Sequence, residues 1–249
     1  MLLADTFNRY FEPWNLAAAE RVLAAAGYRL HHPQAAGRPL CCGRTFLAAG
    51  RIDEARAEAR RTLAALAPLV GRGARVVGLE PSCLLTFRDE VAALLPRDEA
   101  APVAAAAFLL EEVLADDLAA GRASLAFADA TGRTAHLHGH CHQKAFGIMP
   151  AVEEVLRRVP GLTVRTIGSS CCGMAGAFGH RAETWPVSMA MAELTLLPAV
   201  RAAAPGDVVL ANGTSCRRQI EDGAGRPALH LAAFLDTALS GARARGVNP

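Results

Sequence analysis

Short apolar runs that stop at glycine, proline or cysteine alternate along this chain with longer stretches of helical periodicity. Leu2-Leu3-Ala4 reads as a short strand ending at Asp5-Thr6-Phe7. A helix is predicted from about Trp14 to Ala26, with Gly27 as its C-terminal stop. Tyr28 to His32 is a second strand candidate, and residues 33–40 form a loop into Cys41-Cys42-Gly43. Asp53 opens a helix whose apolar stripe is Ile52, Ala55, Ala59, Leu63 and Leu66, with Arg56, Arg60 and Arg61 on a solvated face. Ala74 to Leu79 has the pattern of a buried strand and runs into Glu80-Pro81-Ser82-Cys83. Helices are expected from about Leu84 to Leu95 and from about Phe108 to Ala119. The segment Gly121–Gly132 is the least periodic and reads as a junction.

The second half repeats the plan. Thr134 to His138 reads as a strand ending at Gly139-His140-Cys141-His142, and a helix covers about Ala151 to Arg158. Leu162 to Ile167 is a strand leading to Cys171-Cys172-Gly173. Pro186 opens a helix with the stripe Val187, Ala190, Met191, Leu194 and Leu197. Asp207 to Leu210 is a strand ending at Asn212-Gly213-Thr214-Ser215-Cys216, a last helix runs from about Leu229 to Leu239, and the tail to Pro249 is expected to fray. Each half thus reads strand, helix, strand, Cys-Cys-Gly, helix, strand, Cys. The prediction is an α/β protein of two pseudo-repeated lobes, residues 1–120 and 121–249, each a small, mostly parallel sheet flanked by helices. The Cys-Cys-Gly loops are expected near strand ends, where open α/β sheets hold ligands.

Charge narrows the function. With 26 basic and 24 acidic residues in 249, the balance supports neither a nucleic-acid nor a membrane-surface partner. No run is apolar enough to span a bilayer, and the first residues lack the form of a signal peptide. A cytoplasmic location follows as an expectation, with peripheral attachment to the inner membrane left open. In that compartment seven cysteines argue for metal or redox work rather than a disulfide framework.

Four soft thiolates, Cys141, Cys171, Cys172 and Cys216, suit an iron–sulfur cluster or a structural zinc. Two adjacent cysteines reach one tetrahedral zinc poorly, whereas a cluster offers separated iron atoms. The first lobe has only Cys41, Cys42 and Cys83, with Thr6 where a fourth thiol would stand, and is the weaker metal candidate. Around the second set, His138, His140 and His142 can ligate, shuttle protons or bond to a sulfide, or simply serve as loop histidines. Lys144 and Arg217 bring positive charge near the site or lie on a helix face, and Gly173 lets a backbone amide approach a sulfur.

Glu80-Pro81-Ser82-Cys83, His138-Gly139-His140-Cys141-His142-Gln143-Lys144-Ala145 and Cys171-Cys172-Gly173-Met174-Ala175-Gly176 resemble the cysteine-rich CCG-domain family. That family includes the cysteine-rich component of heterodisulfide reductase and the glycolate oxidase iron–sulfur subunit. The motifs are most similar to the C-terminal iron–sulfur region of bacterial FAD-linked D-2-hydroxyacid dehydrogenases, acting on D-2-hydroxyglutarate or D-lactate. The resemblance implies an electron-transfer domain or subunit holding a [4Fe–4S] cluster on Cys141, Cys171, Cys172 and Cys216. It would accept electrons from FAD on a partner domain or chain and pass them to a quinone or electron carrier. Two alternatives stand beside it: a heterodisulfide-reductase-like cluster acting on a thiol or disulfide substrate, and a zinc-stabilised interaction module. Arg217-Arg218-Gln219 occupies the place where the family often has one more cysteine.

Overall fold

The computed structural model describes residues 1–33 and 37–240; part of the loop expected at 33–40 and the tail after 240 lie outside the described residues. The chain divides into two compact units, Met1–Val113 and Leu114–Pro249.

In the first unit, α1 (Thr6–Tyr10) and α2 (Pro13–Ala25) precede the cysteine pair, and α3 (Arg44–Ala48) and α4 (Ile52–Val70) follow it. Strand β1 (Val76–Gly78) leads into α5 (Pro81–Leu84), then α6 (Glu90–Leu94), α7 (Arg97–Ala106), β2 (Ala107–Leu109) and α8 (Leu110–Ala119), within which the division between units falls. β1 and β2 pair in parallel, Val76 opposite Ala107, and Leu2 adds a parallel bridge to Val77. Three of the expectations fail here. Tyr28–His32 is not a strand: it contributes one bond, Leu2 N–H to His31 C=O at 2.9 Å, with no ladder to continue it. Phe108 does not start a helix but lies in β2, because the core beside β1 recruits three residues from an alanine-rich run of high helix propensity. The helix expected over Leu84–Leu95 is broken by a 3₁₀ turn at Leu85–Phe87. The α4 stripe holds at Ala55, Ala59, Leu63 and Leu66, while Ile52 is exposed at the helix start.

The second unit is built on three parallel strands in the order β4 (Thr163–Thr166), β3 (Thr134–His138), β5 (Val208–Ala211). Around them lie α9 (Cys141–Ala145), α10 (Met149–Arg157), α11 (Trp185–Glu193), α12 (Leu196–Ala202), α13 (Thr214–Ala224) and α14 (Leu231–Ala238). The register sets Leu137 between Thr166 and Leu210, so all three strands end at one edge. The core beneath that edge packs Ile167, Met174, Leu196, Val200, Val209, Ala211 and Ile220 around Cys172 and Cys216. The stripe expected for the helix opened by Pro186 is wrong. Val187 and Leu194 are exposed, and Ser188 and Ala192 are the buried positions. The reason is the close approach of the Cys-Cys-Gly loop, which admits only small side chains on that face.

Candidate metal centre

Each functional side chain of the second unit sits one step beyond a strand. After β3, His140 caps α9: its Nδ1 accepts from His142 N–H at 3.1 Å, while Gln143 Oε1 accepts from His140 N–H at 3.0 Å. This capping box fixes Cys141 as the first residue of α9, with its side chain exposed. After β4, Ile167 N–H still bonds Leu137 C=O at 2.8 Å, and the chain then turns through Ser169. Lys144 Nζ donates to Ser169 C=O at 2.8 Å and also to Ser170 C=O. The only lysine of the chain therefore holds down the segment that delivers Cys171 and Cys172.

Gly173 follows with φ +92°, and a Cβ there would meet Ser188 C=O at 2.1 Å. Only glycine fits, both for its left-handed backbone and for its contact with α11. Its N–H donates to Cys171 Sγ at 3.3 Å, the arrangement that stabilises a negative sulfur. After β5, Gly213 precedes α13, and a Cβ there would meet His140 Cδ2 at 2.4 Å and Cys216 Sγ at 3.2 Å. Arg217 is buried. Its Nη1 donates to Ala211 C=O and Asn212 C=O, both at 2.8 Å, and its Nη2 donates to Thr214 Oγ1 at 3.0 Å. It is a strand-end clamp rather than a helix-face charge. Gln219 is also structural. Its amide donates to Ser188 C=O at 3.2 Å and Ser188 Oγ at 3.1 Å, tying α13 to α11.

The four thiols thereby converge. Cys216 Sγ lies 3.4 Å from Cys172 Sγ, both buried, and Cys141 interacts with the half-buried Cys171. Hydrogen bonds from Cys141 and then Cys172, with Gly173 N–H, hold the Cys171 thiol down to about 2. The bond from Cys172 comes first in lowering Cys216, with His138 and His140 adding to it against burial. Cys141 and Cys172 are pushed up by giving those bonds. His138, fully buried at the end of β3, completes the group. One of its ring nitrogens and the sulfurs of Cys172 and Cys216 lie within 4.8 Å of one another. Four converging soft sulfurs, an amide donor and a buried imidazole are a donor set that fits an iron–sulfur group.

In the first unit the same positions carry different chemistry. Cys41 Sγ accepts from Gly43 N–H at 3.5 Å, and Cys83 is the third residue of α5, as Cys216 is of α13. Thr6 is the first residue of α1, as Cys141 is of α9, but its cap is Asp5 rather than a histidine. Asp5 accepts from Phe7 N–H at 2.9 Å and Asn8 N–H at 3.1 Å, and burial followed by the Glu80 carboxylate raises its pKa. The bond from Cys42 favours a Cys83 thiolate, but burial, Asp5 and Glu80 outweigh it and the thiol is held above its ordinary range. His31, His32 and His180 are exposed.

The chain matches the CCG cysteine-rich domain over residues 6–88 and again over residues 135–221. It belongs to the CCG cysteine-rich domain family. The two matches fall on the two halves of the cysteine repeat. Among curated relatives, this CCG protein is 28% identical over 191 residues to a subunit of the anaerobic glycerol-3-phosphate dehydrogenase of Escherichia coli (strain K12), covering 73% of this chain and 45% of that one. It is 30% identical over 227 residues to the D-2-hydroxyglutarate dehydrogenase of Pseudomonas putida, 89% of this chain and 20% of the relative. The Escherichia coli (strain K12) D-2-hydroxyglutarate dehydrogenase is 25% identical over 224 residues, 89% and 21%. The chain therefore spans less than half the length of these relatives. No solved structure is significantly similar to it.

Proposed function

We propose that this chain is the iron–sulfur electron-transfer part of a flavin-dependent D-2-hydroxyacid dehydrogenase, with its cluster, a [4Fe–4S] centre, in the second unit. The observation that carries this reading is the convergence of Cys141, Cys171, Cys172 and Cys216 at one edge of a parallel sheet, with Cys172 and Cys216 in sulfur contact. The relatives, dehydrogenases that this chain covers only in part, support it.

What an iron–sulfur group supplies when bound here is one-electron storage. The residues of the chain hold and tune it. Cys172 and Cys216 face the core and exclude water, while Cys141 and Cys171 face outward, where a flavoprotein or an acceptor approaches. Gly173 N–H places a donor on the outer sulfur and favours the more reduced, more negative state. In the first unit, burial with Asp5 and Glu80 around Cys83 disfavours added negative charge, so we assign electron transfer to the second unit alone. Oxidation of the hydroxyacid then belongs to FAD on a partner domain or chain, with a quinone or electron carrier as the outlet. We place the protein in the cytoplasm or at the inner face of the membrane; among the described residues no helix is long and apolar enough to cross one.

Purification of the chain without oxygen, followed by iron and sulfide analysis and visible absorption, tests the reading. Iron and sulfide with a broad charge-transfer band are expected, lost in Cys172→Ser. Zinc without sulfide overturns it, as does a spectrum that the substitution leaves unchanged.

A further inference from the structure

The three alternate histidines leading into Cys141 have different occupations. His136 Nε2 lies 2.8 Å from Asp207 Oδ2, and His140 Nδ1 caps α9, so both are accounted for by the fold. His138 is not. It is 0% exposed, and its Nδ1 lies 2.7 Å from Ser169 Oγ, but its Nε2 is buried with no hydrogen-bond partner. Leaving such a buried nitrogen unmet is unfavourable, and a leucine at the same place would avoid it. The ring also stands where it matters, one nitrogen lying within 4.8 Å of both Cys172 Sγ and Cys216 Sγ.

Resting on the cluster reading above, we propose that His138 is a fifth protein donor to the centre, binding iron through Nε2. The support around the ring is that of a ligating histidine. In this arrangement Nδ1, 2.7 Å from Ser169 Oγ, carries the proton and donates to that hydroxyl, which leaves the lone pair on Nε2. Ser169 is itself fixed, its N–H donating to Ile167 C=O at 2.7 Å and its C=O accepting from Lys144 Nζ at 2.8 Å. The strand, the loop and the lysine therefore lock one imidazole orientation. Four cysteines and a histidine are one donor more than the four irons of a regular cubane require. The proposed set thus defines a mixed sulfur–nitrogen centre, and a neutral imidazole on iron raises the potential relative to thiolate ligation alone.

The test is pulsed electron paramagnetic resonance on the full chain, reconstituted with iron and sulfide without oxygen and poised in its half-integer-spin state. Parallel samples carry natural and ¹⁵N-labelled histidine. A strongly coupled nitrogen whose pattern changes with the label, and which His138→Gln removes while iron is retained, is the expected result. Should His138→Gln fail to fold, His140→Asn and His142→Gln assign the signal, since both must keep it. An assembled cluster with only the weak coupling of a hydrogen-bonded nitrogen overturns this inference and leaves the cluster reading standing. So does a strong coupling that survives in His138→Gln. A wild-type chain that takes up no iron and sulfide overturns the cluster reading and this inference with it.

Discussion

Gly173 gives the sharpest prediction, because two separate costs meet at one Cα and each has its own control. Gly173→Ala places an L-residue at φ +92° and drives its Cβ to 2.1 Å from Ser188 C=O, a backbone atom held in α11 that cannot swing away as a side chain would. The left-handed backbone costs about 1–2 kcal/mol. The overlap with α11 adds a further ~1–3 kcal/mol of overpacking. The total is about 2–5 kcal/mol. Gly176→Ala isolates the first cost, since its φ is +66° but nothing lies within 4 Å of the added carbon. Gly43→Ala, the equivalent position of the first unit, is intermediate: φ is +83° and the nearest atom, Ala55 C=O, is at 3.1 Å. Hydrogen exchange of amides in β3 and β5, with β1 for Gly43, reads the opening free energy of each unit separately. The expected order of destabilisation is Gly173, then Gly43, then Gly176. Equal losses at Gly173 and Gly176 would refute the reasoning, because the approach of Ser188 would then contribute nothing.

Cys42→Ser is expected to leave iron per chain unchanged while Cys172→Ser abolishes it; equal losses would move metal binding into the first unit as well. Arg217→Leu removes the shared donor of two buried carbonyls, Ala211 C=O and Asn212 C=O, and is expected to cost about 2–4 kcal/mol in urea unfolding. Arg218→Ala, an exposed residue paired with Asp222 and Glu221, is expected to cost under about 1 kcal/mol by the same measurement. Glu58 has a fully buried carboxylate: burial pushes its pKa up, but Arg61 and Arg38 more than offset this and hold it below the ordinary value. A depressed carboxyl contributes stability that is present above its unfolded pKa of about 4.3 and lost as pH falls through the folded value. Acid unfolding of the first unit should therefore be shallower below about pH 4 in Glu58→Gln than in wild type, followed by hydrogen exchange at β1.

Much of the second unit is legible in the sequence because its signals are local. Thr134–His138 alternates, is followed by a glycine and is the strand the structure contains. Val208–Ala211 follows from a short apolar run, and Thr163–Thr166 from β-branched residues between Gly161 and Gly168. The illegible parts are those that tertiary contacts decide. Ala107–Leu109 sits inside a stretch whose propensity is helical, and nothing before β1 is in place marks it as a strand. The inward face of α11 is Ser188 and Ala192 because Gly173 and Gln219 press against it, a constraint no periodicity within the helix encodes. Arg217 likewise reads as a surface charge until β5 is seen to end beneath it. Short polar helices such as α1 and α9 are missed for another reason: at five residues each they leave no amphipathic stripe to detect.

The sequence repeat also hides an electrostatic asymmetry that the fold exposes. At the cap that opens α9 the second unit has His140, and at the cap that opens α1 the first has Asp5. At the cap before the last cysteine the second unit has Gly213 and the first has Glu80. A glycine there leaves room for His140 against Cys216, whereas a carboxylate raises the pKa of both Asp5 and Cys83. Soft-metal binding requires thiolates, and thiolates form where the surroundings favour negative sulfur. The missing fourth cysteine is therefore only part of the difference between the units. Burial and the two acidic caps oppose ionisation of Cys83, while Cys172, His138 and His140 favour it at Cys216, and this orders the two sites in the same sense as the cysteine count.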